Sequence, residues 1–147
     1  MFALCGQTYP RAGDHRIVSR LTDVAVASHK AATDIRLLQS WGEEEPYEKT
    51  QVGSSAMPYK RNPMRCERLC GLARHLMTIA PGLAHLAANQ WMERTLDDSA
   101  QRRVALPGAF LALDAMLVTA RNVFSGLVVH DRVRERRIQE YLPLIHI

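Results

Sequence analysis

Residues 53–63 carry the side chains in this chain that are best suited to chemistry. They read Gly-Ser-Ser-Ala-Met-Pro-Tyr-Lys-Arg-Asn-Pro. A serine hydroxyl is a poor base unless a dry site, nearby amide groups and a cation stabilise its alkoxide, and Lys60 is the obvious cation. Asn62 could donate a hydrogen bond to the same oxyanion, and Met57 would help to shape the turn. Taken alone, however, Gly-Ser-Ser is typical of a flexible linker, and the lysine–arginine pair is typical of a solvated surface.

A second group of polar residues surrounds the predicted start of the third long helix. Arg94, Ser99 and Arg103 bracket this helix end. The free N–H groups of a helix N-terminus and the forked donors of guanidinium groups both favour an anion. The alternative is that both arginines serve only the solubility of the surface.

Three long amphipathic helices are predicted to position these two groups. Apolar or small residues recur at alternating spacings of four and three, which is the pattern of a heptad seam. The first seam is Ile17, Leu21, Val24, Ser28, Ala31, Ile35 and Leu38. The second is Leu69, Leu72, Leu76, Ile79, Leu83 and Leu86, and the third is Leu106, Phe110, Leu113, Leu117, Ala120, Phe124 and Leu127. The fold class is therefore predicted as all-α, a bundle of long helices with one long flexible loop.

The helix ends and interruptions can also be predicted. The candidate N-caps are Asp14 for the first helix, Asn62 for the second, and Asp97, Asp98 or Ser99 for the third. Pro63 suits the first turn of the second helix. Pro81-Gly82 should kink or briefly break that helix, and Pro107 should delay the regular start of the third.

The third helix carries more apolar side chains than one packing face needs. Leu111, Met116, Leu117, Val118 and Val123 widen its apolar surface beyond the seam. Such a helix favours partners on two sides, which indicates self-association. An ordinary three-helix bundle with a thick core is the alternative, and the pattern alone leaves the two open.

The remaining segments suggest a division into two regions. Residues 1–127 are predicted to form the central helical-bundle domain, with a long aperiodic loop at about 42–62 whose glutamate-rich start is solvated. Residues 128–147 are predicted to begin a truncated C-terminal helical domain. In that second region, Asp131 is a candidate N-cap for a short helix that ends near Tyr141.

Composition limits the classes of partner. The net charge of +4 is mild, and the basic run from Arg132 to Arg137 is interrupted by acidic residues and lacks aromatics, so we expect no nucleic-acid binding. No apolar run approaches the ~20 residues that span a bilayer, and no secretory signal precedes the first cysteine, so we expect no membrane contact and a cytoplasmic location. Cys66, Cys70 and His75 could begin a metal site but lack a fourth ligand, so we expect neither a metal nor a cofactor.

The segment 53–63 resembles the signature loop of the fumarase/aspartase superfamily, enzymes that release fumarate by β-elimination. Flanking residues resemble its adenylosuccinate lyase family in particular. The matching stretches are 6–9, 33–38, 64–65, 72–77, 90–91, 93–100, 102–103 and 135–138, which together extend over nearly the whole chain.

The resemblance implies a role for each matching residue. Ser54 would be the base that removes the proton, and Lys60 would pair with the succinyl carboxylate. Gln7 would hydrogen-bond the substrate, and Met57 and Asn62 would line its site. Arg68, Arg94, Ser99 and Arg103 would bind the nucleotide and its phosphate. The implied substrates are adenylosuccinate and the succinyl-carboxamide ribotide of de novo purine biosynthesis. The family implies a homotetramer in which each active site draws on three subunits, and it requires no cofactor.

The resemblance also implies that the chain is a central slice of such an enzyme. The histidine that serves as general acid in the family lies in a segment before this chain begins, so we expect the chain to be inactive alone. The alternative is a short helical assembly module that joins a full-length tetramer without catalysing anything.

Overall fold

The computed structural model describes residues 3–41, 43–47, 51, 56–57 and 60–141 of this protein. Its helices are α1 (Ala12–Leu38), α2 (Met64–Ala88), α3 (Asp98–Ser125) and α4 (Asp131–Tyr141), with a short 3-10 turn at Gln39–Trp41. Two short strands, β1 (Glu43–Glu44) and β2 (Val128–Val129), form one antiparallel pair. The all-α prediction is confirmed, and so is the helix predicted from Asp131 to Tyr141. The division into two domains remains a prediction.

Helices α1, α2 and α3 pack side by side, and α2 runs antiparallel to both neighbours. His15 Nδ1 lies 3.0 Å from the Ala80 carbonyl oxygen near one end of the α1–α2 pair. Thr33 Oγ1 lies 3.7 Å from Cys70 Sγ farther along the same pair. The core between the helices is built from large side chains on α2, such as Leu76, and small ones on α1.

The heptad period predicted for α1 and α3 is correct, and part of each predicted row is buried, including Ile35, Leu113 and Ala120. The other part of each row is one residue out of phase with the core. In α1 the buried row is Val18, Ala25 and Ala32, whereas Ile17 and Val24 are exposed. In α3 the buried row is Ala109, Met116 and Val123, whereas Phe110, Leu117 and Phe124 are about half exposed. Small residues let helices approach closely, so the alanines took the inward positions and the bulkier neighbours remained outside. The row predicted for α2 is largely buried as expected.

Of the candidate N-caps for the three long helices, Asp97 occupies the predicted position, whereas Asp14 and Asn62 do not. Arg11, Pro63 and Asp97 occupy the three N-cap positions, and none of their side chains makes a capping hydrogen bond. Asp14 is instead buried in the first turn of α1. The side chain of Asn62 does not cap α2, because a carboxylate from farther upstream already accepts the N–H groups of that turn.

Neither proline breaks its helix, and Pro107 does not delay the start of α3 as predicted. Pro81 lies inside α2 and Pro107 lies inside α3, which begins at Asp98. Both side chains are exposed, whereas the opposite faces of the two helices are buried. Packing on the buried face holds each helix together across the hydrogen bond that a proline cannot donate.

The sequence predicted no membrane span, but helix α3 is a candidate for one. By length and composition alone it could cross a membrane, since an 18-residue window has a mean hydropathy of 1.5, and 22% of that window is buried. Core helices of soluble proteins pass the same test, so one such helix is weak support for a membrane span. Its exposed apolar residues nevertheless favour contact with another molecule.

Candidate functional site

The signature-loop residues that the structure describes lie at the N-terminal end of α2. The Lys60 N–H donates to the Met57 carbonyl oxygen at 2.9 Å, which closes a turn. The Met64 N–H donates to the Asn62 carbonyl oxygen at 2.8 Å, which joins the loop to the helix. Arg68 is exposed in the second turn of α2. The predicted base, Ser54, lies outside the described residues.

Two contacts fix this end of the loop to other parts of the chain. Gln39 Nε2, just after α1, donates to the Arg61 carbonyl oxygen at 2.7 Å. The Arg61 guanidinium lies over the Tyr47 ring, 5.0 Å from its centroid. The backbone on either side of Lys60 and Asn62 is therefore held, while the Lys60 side chain remains exposed.

Gln7 and Arg94 lie together at the other end of α2. The Gln7 N–H donates to the Glu93 carboxylate, which also lies against Gly6 so closely that a side chain at that glycine would clash with it. Arg94 follows in the chain, and its Nε is buried without a hydrogen-bond partner among the described residues. A buried, unpartnered guanidinium N–H favours an anionic ligand.

A buried polar cluster ties the Gln7 segment to the first turn of α3. Arg102 Nε donates to Asp14 Oδ2 at 2.5 Å, and the Tyr9 hydroxyl donates to Asp14 Oδ1 at 2.5 Å. Arg11 Nε lies 2.5 Å from Asp98 Oδ2 in a second ion pair, and these two side chains are 5% and 1% exposed. Two bridges four residues apart on α3 therefore fix the rotation of this helix about its axis.

These bridges set the direction in which the predicted phosphate ligands face. Asp98 and Arg102 are directed inward, and each is followed by a predicted ligand, Ser99 or Arg103. Successive helical residues are rotated by about 100°. The inward pair therefore holds Ser99 and Arg103 on an adjacent, more exposed face of the same helix end.

The cluster also shifts two pKa values. Burial raises the pKa of the Tyr9 hydroxyl, and the hydrogen bond to Asp14 raises it further against the opposing effect of both arginines. Burial lowers the pKa of Arg102, but its contacts with Asp14 and Tyr9 outweigh burial and raise it. Both groups therefore keep their protons at neutral pH.

The two groups of predicted site residues lie at opposite ends of α2. Arg65, at the start of α2, contacts Asn122 near the end of α3 through Nη1 and Oδ1 at 2.7 Å. Gly82, near the other end, faces Gln101 near the start of α3. Asn62 and Gly82 are about 20 residues apart, so the two groups are separated by roughly 30 Å of helix. One copy of the chain therefore does not bring Lys60 to Arg103.

Each end of α2 has its own cavity. One of about 330 Å³ is lined by Tyr9, Arg11, Gln90 and Glu93, beside Gln7. The other, of about 240 Å³, is lined by Arg65, Arg68 and the last turns of α3.

In the part of the chain that the structure describes, Cys66 and Cys70 do not belong to a possible metal site. No group of three His, Cys, Asp or Glu side chains lies together there. Cys66 is buried next to Glu45 instead, and burial, together with the hydrogen bond to that carboxylate, raises the pKa of its thiol to about 12.

The sequence did not reveal four residues that hold the site residues in place through buried or partly buried contacts: Tyr9, Arg11, Arg102 and Glu45. Asp14 was assigned only to a helix cap. Its position one turn before Val18, on the buried row of α1, is the signal that could have shown it to be a buried ion-pair partner.

Known lyases resemble this chain in sequence. A family model described as "Lyase" matches residues 15–78. Adenylosuccinate lyase from Saccharomyces cerevisiae is 54% identical over 146 residues, which cover 99% of this chain and 30% of that protein. The enzyme of the same name from Schistosoma mansoni is 50% identical over 145 residues, which cover 98% of this chain and 30% of that protein. Over nearly its whole length, the chain is therefore similar to part of an adenylosuccinate lyase.

A solved structure has a similar arrangement of helices. The 3-carboxy-cis,cis-muconate lactonizing enzyme from Pseudomonas putida matches with a TM-score of 0.74 and 27% identity, over 88% of this chain and 29% of that one. This chain spans about 30% of the length of the curated relatives it matches. The family resemblance inferred from residues 53–63 is therefore confirmed.

Proposed function

We propose that this chain supplies part of the active site of an adenylosuccinate lyase, which cleaves adenylosuccinate to AMP and fumarate. The same site would cleave the succinyl-carboxamide ribotide of de novo purine biosynthesis. The observation that carries the proposal is the presence of an intact 53–63 segment at one end of α2 and three anion-binding side chains at the other. Both substrates carry a succinyl group and a phosphate, which match these two groups.

In this mechanism the loop performs the elimination. Ser54 removes the proton next to the succinyl carboxylate, and Lys60 and Asn62 stabilise the negative charge that develops on that carboxylate. The electron pair then forms the double bond of fumarate as the C–N bond breaks, and the leaving nitrogen takes a proton from the general-acid histidine that the family resemblance implies. Met57 excludes water from the loop, and Arg68 extends the positive surface at this end of α2. Gln7, Arg94, Ser99 and Arg103 hold the nucleotide, so binding energy far from the reacting carbon positions it. The reaction needs neither a metal nor a cofactor.

The separation of the two groups supports a site built from more than one copy. Roughly 30 Å of α2 lies between Lys60 and Arg103, which is longer than one succinyl nucleotide can bridge. A homotetramer in which the loop of one copy reaches the arginines of another would complete the site. The three free thiols suit a reducing compartment such as the cytoplasm.

The exposed face of α3 is the proposed contact between copies. Arg103, Phe110, Leu117 and Phe124 recur every seven residues, so they form one stripe along the helix. The three apolar members are 53%, 47% and 51% exposed. A second copy packed on this stripe would place its own residues next to Arg103, where the nucleotide phosphate is expected.

The same stripe also favours a second function for the chain. A helical module with an exposed apolar face could join a lyase tetramer and occupy a subunit position without supplying every catalytic group. In that case the chain would co-assemble with a full-length lyase and lower its activity.

A chimera tests the first proposal. This chain replaces the matching 146 residues of the Saccharomyces cerevisiae enzyme, and fumarate release is followed by ultraviolet absorbance. We expect an active chimera whose Ser54→Ala variant loses about 10²–10⁴-fold in kcat but still binds substrate. Ser125→Ala is the matched control, because its hydroxyl only contacts the carbonyl oxygens of its own helix. A folded tetrameric chimera without activity contradicts the lyase proposal and favours the module, and an active Ser54→Ala variant rejects Ser54 as the base.

A further inference from the structure

Glu45 is a buried carboxylate that lies on the N-terminus of α2. It is 5% exposed, whereas the sequence predicted a solvated glutamate-rich start to the loop. Oε1 accepts the Arg65 N–H at 2.9 Å, and Oε2 accepts the Cys66 N–H at 2.9 Å. One carboxylate from about 20 residues upstream therefore accepts two of the N–H groups that a helix leaves free in its first turn.

The physical chemistry of this contact explains why a glutamate can be buried here. A carboxylate loses its hydration on burial and needs compensating donors. Backbone N–H groups at a helix N-terminus provide charge-assisted hydrogen bonds, and the helix dipole adds a favourable field. Asn62, which the sequence indicated as the cap, is not required for this purpose.

The residues around Glu45 are held to α3 as well as to α2. The Pro46 carbonyl oxygen accepts a hydrogen bond from Arg65 Nη1 at 2.9 Å, and the same nitrogen donates to Asn122 Oδ1 at 2.7 Å. Pro46 packs on Gly126, where an added Cβ would lie 2.8 Å from the proline Cβ. Strand β1 pairs with β2 immediately after α3. We call Glu45, Pro46, Arg65, Asn122 and Gly126 the stem clamp.

We propose that Glu45 is a positioning residue for the signature loop. Through the stem clamp it fixes the upstream end of the loop against the helix turn that follows Lys60 and Asn62, so both ends of the loop are held at one place. The inference rests on the proposed lyase function, because the loop matters only where it carries the elimination.

Because both ends of the loop are held, the residues that lead into it and out of it keep a fixed position relative to α2. The tie between Gln39 and Arg61 and the Tyr47–Arg61 contact act in the same direction. Catalytic groups must be placed to within about 1 Å, so a loosened stem should lower kcat more than it weakens nucleotide binding.

The first measurement uses this chain itself. Amide hydrogen exchange of Arg65 and Cys66 is compared in the parent, Glu45→Gln and Glu45→Ala. We expect exchange at both amides to accelerate about tenfold in Glu45→Ala, with a smaller change in Glu45→Gln because the amide keeps one acceptor oxygen. Glu135→Gln, at an exposed site on α4, is the matched control and should change neither amide. Unchanged exchange in Glu45→Ala overturns the clamp.

The second measurement uses the chimera. We expect Glu45→Gln to lower kcat about tenfold or more while the inhibition constant of AMP stays within about twofold, because the phosphate residues lie at the far end of α2. Faster amide exchange with an unchanged kcat overturns the positioning role. If the Glu45 variants do not fold, Asn122→Ala weakens the clamp from its exposed side, and a kcat equal to that of the parent then contradicts the proposal. An inactive parent chimera contradicts the lyase function instead, and the exchange result still decides whether Glu45 holds α2.

Discussion

Arg102 donates from Nε to Asp14 Oδ2 at 2.5 Å, and this contact joins the second turn of α3 to the first turn of α1. The Asp14 side chain is 2% exposed and the Arg102 side chain is 21% exposed. Such a pair contributes little net stability when it is intact, but removal of one partner leaves an uncompensated buried charge. It therefore acts mainly by specifying how α1 and α3 meet.

We expect Asp14→Asn to destabilise the chain by about 2–4 kcal/mol, because the Arg102 guanidinium loses its counter-charge. Urea unfolding followed by circular dichroism measures this change. Asp23→Asn is the control, since Asp23 pairs with Arg20 on the surface with side chains 66% and 86% exposed. That variant should cost less than about 0.5 kcal/mol. Equal midpoints for the two variants would show that the buried pair does not hold the helices.

The period of the helices could be read from the sequence, but not the side of each helix that faces inward. Two adjacent apolar rows run along α3, one through Met116 and one through Leu117. A hydrophobic pattern does not tell which row faces the chain's own core and which faces a second copy. The choice depends on how closely the helices approach, which small residues such as Ala109 decide.

The sequence predicted which residues belong to the site, but it did not predict the distances between them. The segment that contains Lys60 and Asn62 was found from its resemblance to the signature loop of a known superfamily. Its anchor, Glu45, could not be found, since a capping contact over about 20 residues follows no local pattern. The separation of Lys60 from Arg103 likewise depends on the antiparallel course of α2, which no motif encodes.

The thiol of Cys66 should react far more slowly than that of Cys5. Cys5 is exposed, whereas Cys66 is fully buried and its pKa is raised to about 12 by burial and then by Glu45. The thiolate is the nucleophile, so iodoacetamide at pH 8 should label Cys5 and leave Cys66 intact. Mass spectrometry of peptides measures both, and a Cys5→Ala chain should show no fast labelling.

The same raised pKa gives a direction for stability against pH. In the unfolded chain Cys66 ionises near its ordinary value, about 9, whereas in the folded chain it stays protonated up to about 12. Its contribution is therefore fully present below pH 9 and is lost as the pH rises towards 12. Cys66→Ser should flatten this fall between pH 9 and pH 11, and an unchanged slope would show that the thiol does not titrate as described.

The exposed row on α3 should drive self-association. Leu117→Glu places a charge in the middle of the apolar stripe, so we expect sedimentation velocity to show a shift towards smaller species. Ala115→Glu introduces the same charge on the opposite, exposed side of the helix and is the matched control. The interpretation of the stripe as an interface is wrong if both variants sediment like the parent.

Arg103→Ala in the chimera should raise KM more than it lowers kcat. A guanidinium bound to phosphate contributes about 1.5–3 kcal/mol, so we expect KM to rise roughly 10–100-fold. Steady-state fumarate release over a range of adenylosuccinate concentrations separates the two constants. Arg132→Ala, an exposed arginine on α4, should leave both unchanged. An unaltered KM for Arg103→Ala would remove this residue from the phosphate site.

Two inactive variants should restore activity when they are mixed in one tetramer. One chimera carries Ser54→Ala in the loop, and the other carries Arg94→Ala and Arg103→Ala at the far end of α2. If each site takes its loop from one copy and its arginines from another, random co-assembly leaves roughly a quarter of the sites intact. Co-refolding from denaturant followed by a fumarate assay measures this recovery.

The control for this experiment is a mixture of Ser54→Ala and Lys60→Ala chimeras. These two residues share one loop, so no copy in that mixture can offer an intact loop, and the mixture should stay inactive. Recovery in the first mixture and none in the second requires that the roughly 30 Å between Lys60 and Arg103 is bridged by a neighbouring copy. Failure of the first mixture, with both variants assembled as tetramers, would mean that loop and arginines meet within one copy.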